Sequence, residues 1–408
     1  MKTIVDAAML KQHIHWALRA VPPSRPSLPV LSNIKIETRG QRIVELSTTC
    51  LDMAYRGRLT GSNTADGGIT VPAKKLDALI ATMEMGELTL AADLKTQTLS
   101  LWGGSSHINL KGIGVEEFPK IPNKLDDAVE VSLSAGLFKR VVQQTVYAAA
   151  TDNNQPLFTN GYLQLADATL TLACTDGFRL AQAKSRLDKA VSKAVNYLLP
   201  AKALEFMADL VKNEEQTVKL NFGRELMFFT ASNQQVISRI GEGKFPPYQK
   251  LIPTNFTHRL VVNANELAKA TKRAALFCPN TDAVLFAPGD DAQLIIQSLN
   301  DGVGSTANAI DVLDMQGEGT HTRFKSQDIY ITQALATMTT PTVALELQST
   351  SKDRITLRPI GDERIEVIHI IMPANPLKKE VKQESLRPAK QTARQAKPEE
   401  KQLEIALS

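Results

Sequence analysis

The sequence predicts an α+β fold made of three copies of one unit, each with two helices packed on β-sheets. Three observations predict it. Residues 3–20, 129–146 and 259–276 open alike, with a short strand that runs into an amphipathic helix. The string Pro-Ala-Lys stands at 72–74 and again at 200–202, an offset of 128. The first two units also close alike, with FPKIP at 118–122 and FPPYQKLIP at 245–253, an offset of 127.

Each element follows from a local pattern. In the first helix Leu10, Ile14 and Leu18 fall at i, i+4 and i+8, so one stripe can be buried. Leu137, Val141 and Thr145 repeat that spacing in the second, and Leu267, Thr271 and Ala275 repeat it more weakly in the third. Extended pairs come next: 28–36 with 42–55, 157–165 with 168–183, and 283–297 with its neighbours. Alternation such as Leu170-Thr171-Leu172 marks them as strands. A second helix follows Pro72 in 69–80 and Pro200 in 197–208, where the missing proline N–H is no loss. The third copy uses FKSQDIYITQAL, 324–335, instead. The expected domains are 1–124, 125–256 and 257–373. Residues 374–408 have no aromatic, eight Lys or Arg and five Glu, and read as a disordered basic tail.

Composition narrows the classes. The 408 residues are 43% hydrophobic and 22% charged, values that allow a real core. Net charge is +4, of which the tail supplies +3, so the body is nearly neutral and cannot hold nucleic acid by charge alone. No apolar run approaches the roughly 20 residues of a membrane span, and the start lacks a long apolar signal region; a cytoplasmic protein is expected. Cys50, Cys174 and Cys278 are an odd number with no C-x-x-C pair, which argues against a disulfide framework or a zinc knuckle.

No catalytic constellation emerges. Asp176-Gly177-Phe178 lacks the glycine-rich loop and H-R-D partner of a kinase, and neither G-x-S-x-G nor H-E-x-x-H is present. The six histidines are scattered, and His13 and His15 point differently on a helix. Asp6, Asp52, Asp176 and Asp311 fit turns and caps better than a metal site. No catalysis, metal or cofactor is expected.

Four motifs in order carry a resemblance: RPSLPVLSNI (25–34), ACTDGFRLA (173–181), GKFPPYQKLIP (243–253) and IIMP (370–373). Together the body, 1–373, resembles the beta subunit of bacterial DNA polymerase III, a DNA sliding clamp. The resemblance implies clamp-type domains, three per chain, with two chains joined head to tail in a ring. A ring holds duplex DNA by topology, so weak contacts that ignore sequence suffice. It further implies DNA contacts at Arg25, Lys74, Lys202 and Lys244, within a wider set of helix cations: Lys11, Arg19, Lys75, Lys139, Arg140, Lys269, Lys272 and Arg273. Homodimer contacts fall at Ile108, Leu276 and Phe277, with Pro279 close behind as a departure from the family.

The same resemblance implies a groove for short Gln-Leu-type peptides of the polymerase III catalytic subunit, the clamp loader and repair polymerases. Its residues would be Thr175, Gly177, Phe178, Arg179, Leu180, Pro246, Lys250, Leu251, Ile370, Met372 and Pro373. A flexible methionine suits varied apolar side chains, while Arg179 and Lys250 would hold polar ends. Phe178 replaces the family's histidine, and Ala374-Asn375-Pro376 and a long tail replace its short ending. The tail closes on Gln402, Leu403, Ile405 and Leu407, similar to the peptides such a groove takes, so docking of the tail in its own groove is a further expectation. Two other readings stay open. One is a diverged second-copy or mobile-element clamp that serves repair polymerases or modulates a host clamp. The other is a monomeric peptide-binding scaffold that never closes on DNA.

Overall fold

Six times along the chain a strand runs into a helix and then into three more strands. The computed structural model describes residues 1–83, 86–152, 154–191, 193–278, 284–289, 292–300, 302–317, 324–347 and 354–373. The first two units are β1 (Lys2–Asp6), α1 (Ala7–Ala17), β2 (Asn33–Arg39), β3 (Ile43–Thr49) and β4 (Met53–Ala65), then β5 (Gly67–Pro72), α2 (Ala73–Thr82), β6 (Glu87–Asp93), β7 (Thr98–Gly103) and β8 (Ser106–Lys111). The middle pair is β9 (Val129–Ser134), α3 (Ala135–Gln143), β10 (Asn160–Ala166), β11 (Thr169–Thr175) and β12 (Arg179–Arg186), then β13 (Val195–Pro200), α4 (Ala201–Leu210), β14 (Thr217–Phe222), β15 (Leu226–Ala231) and β16 (Gln234–Arg239). The last pair is β17 (His258–Asn263), α5 (Ala264–Ala275), β18 (Val284–Pro288), β19 (Gln293–Asn300) and β20 (Gly304–Gln316), then β21 (Phe324–Ser326), α6 (Asp328–Thr337), β22 (Thr342–Leu347), β23 (Ile355–Ile360) and β24 (Ile365–Ile371).

Local chemistry explains the repeated strand-to-helix step. Asp6 caps α1 by accepting from the Met9 N–H at 2.8 Å, and Asn263 caps α5 by accepting from Asn265 and Glu266 at 2.9 and 3.1 Å. Pro72 and Pro200 end their strands and sit at the cap positions of α2 and α4. Of the turn-and-cap aspartates expected, Asp6 and Asp176 act so, while Asp311 lies within β20. Helices pack in pairs, α1 beside α2, α3 beside α4 and α5 beside α6. Leu10 and Ile14 of α1 are fully buried, each contributing about 1.5–3 kcal/mol relative to exposure.

One expectation needs correction. Residues 28–36 and 157–165 are not strands throughout: Pro29–Ser32 and Pro156–Thr159 form single 3-10 turns, and pairing starts only at Asn33 and Asn160. Each proline presets the turn dihedral and has no N–H to give to a ladder.

The strands join neighbouring repeats edge to edge. β4 pairs with β16 (Met53↔Ser238 to Gly57↔Gln234), which fuses the first and second repeats into one sheet. β12 pairs with β24 (Arg179↔Ile371 to Ser185↔Ile365) and does the same for the second and third. At the first joint the side chains also mesh. Trp16 stacks on Phe206 with centroids 6.2 Å apart, and Arg19 bonds Asp209 at 2.8 Å. One apolar core therefore runs through the first two repeats, while the third has its own.

Candidate functional site: the groove between the second and third domains

The stretch 175–180 turns sharply, and its own side chains hold the turn. The Thr175 hydroxyl donates to the Arg179 carbonyl at 2.6 Å and accepts from the Gly177 N–H at 3.0 Å. Asp176 accepts from the N–H groups of Phe178 and Arg179 at 2.9 and 3.0 Å. Gly177 takes φ +92°, a left-handed conformation that glycine adopts without a Cβ clash. The turn presents Phe178 to solvent, 63% exposed. Its carbonyl accepts from the Met372 N–H at 2.9 Å, which brings the end of β24 alongside.

The residues expected here fall into a floor and a rim. Leu180 and Ile370 are buried and pack with Phe245, Tyr248 and Ile368 as the floor. Phe178, Met372 and Leu251 are exposed on the rim, with Lys250 beside Leu251 and with Pro246 and Pro373 half-buried. Three aromatic side chains stiffen the floor. Tyr162 stacks on Phe245 at 5.1 Å, and the Tyr248 hydroxyl donates to Gln164 at 3.1 Å. Burial pushes that Tyr248 phenol up to about 12, so it stays protonated.

Arg179 departs from its expected role. Its guanidinium pairs with Asp176 at 3.0 Å, donates to Gln333 of α6, and lies over the Tyr147 and Tyr330 rings at 5.2 and 5.0 Å. With its side chain only 10% exposed, it fastens the second repeat to the third instead of waiting for a ligand. Lys250 remains the exposed cation of the rim. Tyr147, Tyr330 and Gln333 were not foreseen, because nothing local in the sequence links them to Arg179. The aromatic floor was partly visible in the FPPY string.

The cations expected at DNA divide in two. Lys74 and Lys202 occupy the same place, the second residue of α2 and of α4; with Arg25 and Lys244 on loops they are exposed and in no ion pair among the described residues. Arg19, Lys139 and Arg140, by contrast, are engaged by Asp209, Glu214 and Asp362. Leu276, at the end of α5, is 79% exposed and not a core residue; Phe277 and Ile108 are half-buried. Pro279 and the tail residues Gln402, Leu403, Ile405 and Leu407 lie outside the described residues. Among the described residues no group of three His, Cys, Asp or Glu could hold a metal, and no helix is long and apolar enough to cross a membrane.

Comparison with known proteins places this geometry. Models of the DNA polymerase III beta subunit match the N-terminal domain at 1–122, the central domain at 132–247 and the C-terminal domain at 249–375. A beta sliding clamp of Staphylococcus aureus is 27% identical over 369 residues, covering 87% of this chain and 94% of that protein. The DNA polymerase sliding clamp of Bacillus subtilis superposes with a TM-score of 0.85 at 21% identity, over 92% of this chain and all of the other. The sliding clamp of Pseudomonas aeruginosa, solved with bound griselimycin, gives 0.84 at 21% identity over the same shares. With family matches that run through all three repeats, the chain belongs to the family of DNA polymerase III beta subunits.

Proposed function

We propose that two copies of this chain close head to tail into a ring that encircles duplex DNA and holds polymerases to it, with no catalysis of its own. The three domains 1–124, 125–256 and 257–373 form half of that ring. The observation that carries the reading is a pattern of strand edges. At both joints inside the chain, four strands meet four: β5-β2-β3-β4 with β16-β15-β14-β9, and β13-β10-β11-β12 with β24-β23-β22-β17. Two sets of four have no such counterpart among the described residues. They are β21-β18-β19-β20, which ends on the free side of residues 304–311, and β8-β7-β6-β1, which ends on β8. A second copy supplies each with its missing edge and completes a third joint of the same form.

Apolar side chains mark both free edges. Leu276 and Val303 are 79% and 69% exposed near β20, with Phe277 packed by Gly304, while Trp102 and Ile108 stand on β7 and β8. Around the enclosed DNA, Arg25, Lys74, Lys202 and Lys244 touch phosphates without reading bases. The outer groove takes short apolar peptides from the polymerase III catalytic subunit, the clamp loader and repair polymerases, with Phe178, Leu180, Ile370 and Met372 as the receiving surface. Family matches in all three domains support this above a monomeric scaffold or an inhibitory second copy.

Native mass spectrometry tests it: a species of twice the 44.6 kDa chain mass is expected at micromolar concentration, and a monomer there overturns the ring. Pro373 lies on the groove's rim and precedes the tail in sequence, so we place the tail's 402–407 segment in the groove as a competitor. Fluorescein-labelled Gln-Leu-Asp-Leu-Phe is expected to bind a chain cut after Asn375 more tightly than the full chain; equal affinity removes the tail from the groove.

A further inference from the structure

The joint between the first and second domains repeats three hydrogen bonds of the groove just described, although Cys50 stands where Asp176 caps the turn. The Thr49 hydroxyl donates to the Met53 carbonyl at 3.1 Å and accepts from the Leu51 N–H at 3.0 Å, as Thr175 does for Arg179 and Gly177. Leu51 takes φ +76°, where its counterpart Gly177 takes +92°. The Arg239 N–H donates to the Asp52 carbonyl at 2.9 Å, as Met372 does to Phe178. Pro119 follows Phe118 as Pro246 follows Phe245. In this register Asp52 stands for Phe178, Ala54 for Leu180, Ile237 for Ile370 and Arg239 for Met372.

The copy is open, and its chemistry differs. A cavity of about 290 Å³ is lined by Leu51, Met53, Pro119, Ile121, Leu226 and Ile237 among others, over a floor of Ala54, Phe228 and Ile237. Leu51 is 52% exposed in a left-handed conformation that leucine rarely adopts, so strain is tolerated to present an apolar side chain at the rim. Lys120 and Ile121 also line a second cavity of about 200 Å³ with Lys35, Arg39, Arg56 and Glu45; Glu37 pairs with Lys35 at 2.8 Å and with Arg39 at 3.4 Å, so these four cations stand against two carboxylates. Arg56 is 6% exposed; its Nη groups donate to Gln235 at 2.9 Å and to the Ile121 and Pro122 carbonyls at 3.2 Å, while its Nε has no hydrogen-bond partner among the described residues, with Glu45 3.6 Å away. A buried Nε–H without an acceptor, beside the exposed Lys120, favours an incoming anion.

We propose that this joint is a second peptide-binding groove, and that its occupant is an extended segment of a partner protein with an apolar stretch followed by carboxylates. The apolar residues fill the cavity at Leu51 and Ile121, and the carboxylates meet Lys120 and Arg56. Charge excludes the chain's own tail, which carries eight cations against five glutamates. The short Gln-Leu-type peptides suited to Phe178 and Met372 lack the run of carboxylates that answers the cation cleft, so the two grooves select different segments.

The test uses full-length protein with Phe178→Ala and Met372→Ala, which weakens the other groove. It is panned against a random dodecapeptide phage library, and enriched peptides are remade with fluorescein for anisotropy. Peptides that join an apolar pair to two or more carboxylates are expected. Their Kd should rise at least tenfold with Lys120→Glu and, separately, with Ile121→Asp, in proteins whose circular dichroism and melting are unchanged. No enrichment, or enriched peptides indifferent to both substitutions, overturns the proposal. Binding that tightens tenfold when the chain is cut after Asn375 also overturns it, because the tail is then the occupant.

Discussion

At the scale of single residues, Arg179 shows how one side chain can be fixed by partners distant in sequence. Its Asp176 pair was in reach of a sequence argument, since turn aspartates bond nearby N–H groups. Gln333, Tyr147 and Tyr330 were not, because only the folded joint brings them there. Arg179→Ala leaves one Asp176 carboxylate oxygen and the Gln333 amide oxygen without this partner and removes the packing on two rings, and is expected to destabilise the fold by roughly 2–4 kcal/mol, read by urea unfolding. Arg179→Lys should recover less than half, since an ammonium cannot lie flat between two rings.

Histidines supply a second residue-level consequence. His13 bonds the Tyr55 hydroxyl at 2.8 Å and His369 the Tyr147 hydroxyl at 2.8 Å, and burial lowers their pKa values to about 4 and about 3. Unfolded, both bind protons near 6.5, so the unfolded chain takes up protons that the folded one refuses. Their contribution is full above pH 6.5 and is lost as pH falls toward 3. In the middle of that window uptake of up to two protons implies a slope on the order of 2–3 kcal/mol per pH unit. Urea midpoints between pH 6 and pH 4.5 should fall accordingly, and a pH-independent midpoint across that range contradicts the assignment.

Elements were legible to the extent that their pattern was local. Helices α1 to α5 showed themselves by apolar spacing or by Pro-Ala-Lys, and α6 by its place in the repeat despite Gln327 at its cap. The short turns at Pro29 and Pro156 were hidden inside apolar runs that read equally well as strand. The partners of β4, β12, β8 and β20 could not be read at all, because edge pairing is made by backbone and leaves no side-chain code. The groove's rim was visible through its motifs, whereas its repeat beside Leu51 was not, since Asp52 and Arg239 replace Phe178 and Met372. At this scale the α5 end and the β20 edge are expected to act as one surface. Leu276→Asp buries a carboxylate against the partner and should yield monomers at micromolar concentration, while the thermal midpoint of the separated chain stays within about 2 °C because the side chain is exposed. A Leu276→Asp protein that stays dimeric places the contact elsewhere.

For the whole molecule, retention by enclosure and retention by charge respond differently to salt. In the proposed ring, Arg25, Lys74, Lys202 and Lys244 of two chains make eight phosphate contacts and a salt slope of roughly −7, so a fourfold rise in salt should weaken direct binding on the order of 10⁴-fold. On linear duplex the protein should slide off and be lost at that salt, while on a closed circle it should remain after gel filtration. Equal loss from both forms contradicts enclosure.

The two bare edges, β20 at one end and β8 at the other, also carry a hazard. A contact between unlike edges stops at two chains only if each chain bends through half a turn; a bend of a third or a quarter of a turn closes larger rings, and a bend that does not divide the turn lets growth continue as a fibre. Bend is set at the covalent joints, where β4 meets β16 and β12 meets β24, far from the edges themselves. Filament or circle is therefore decided by angles inside the chain, while the adhesive ends are the same in either case.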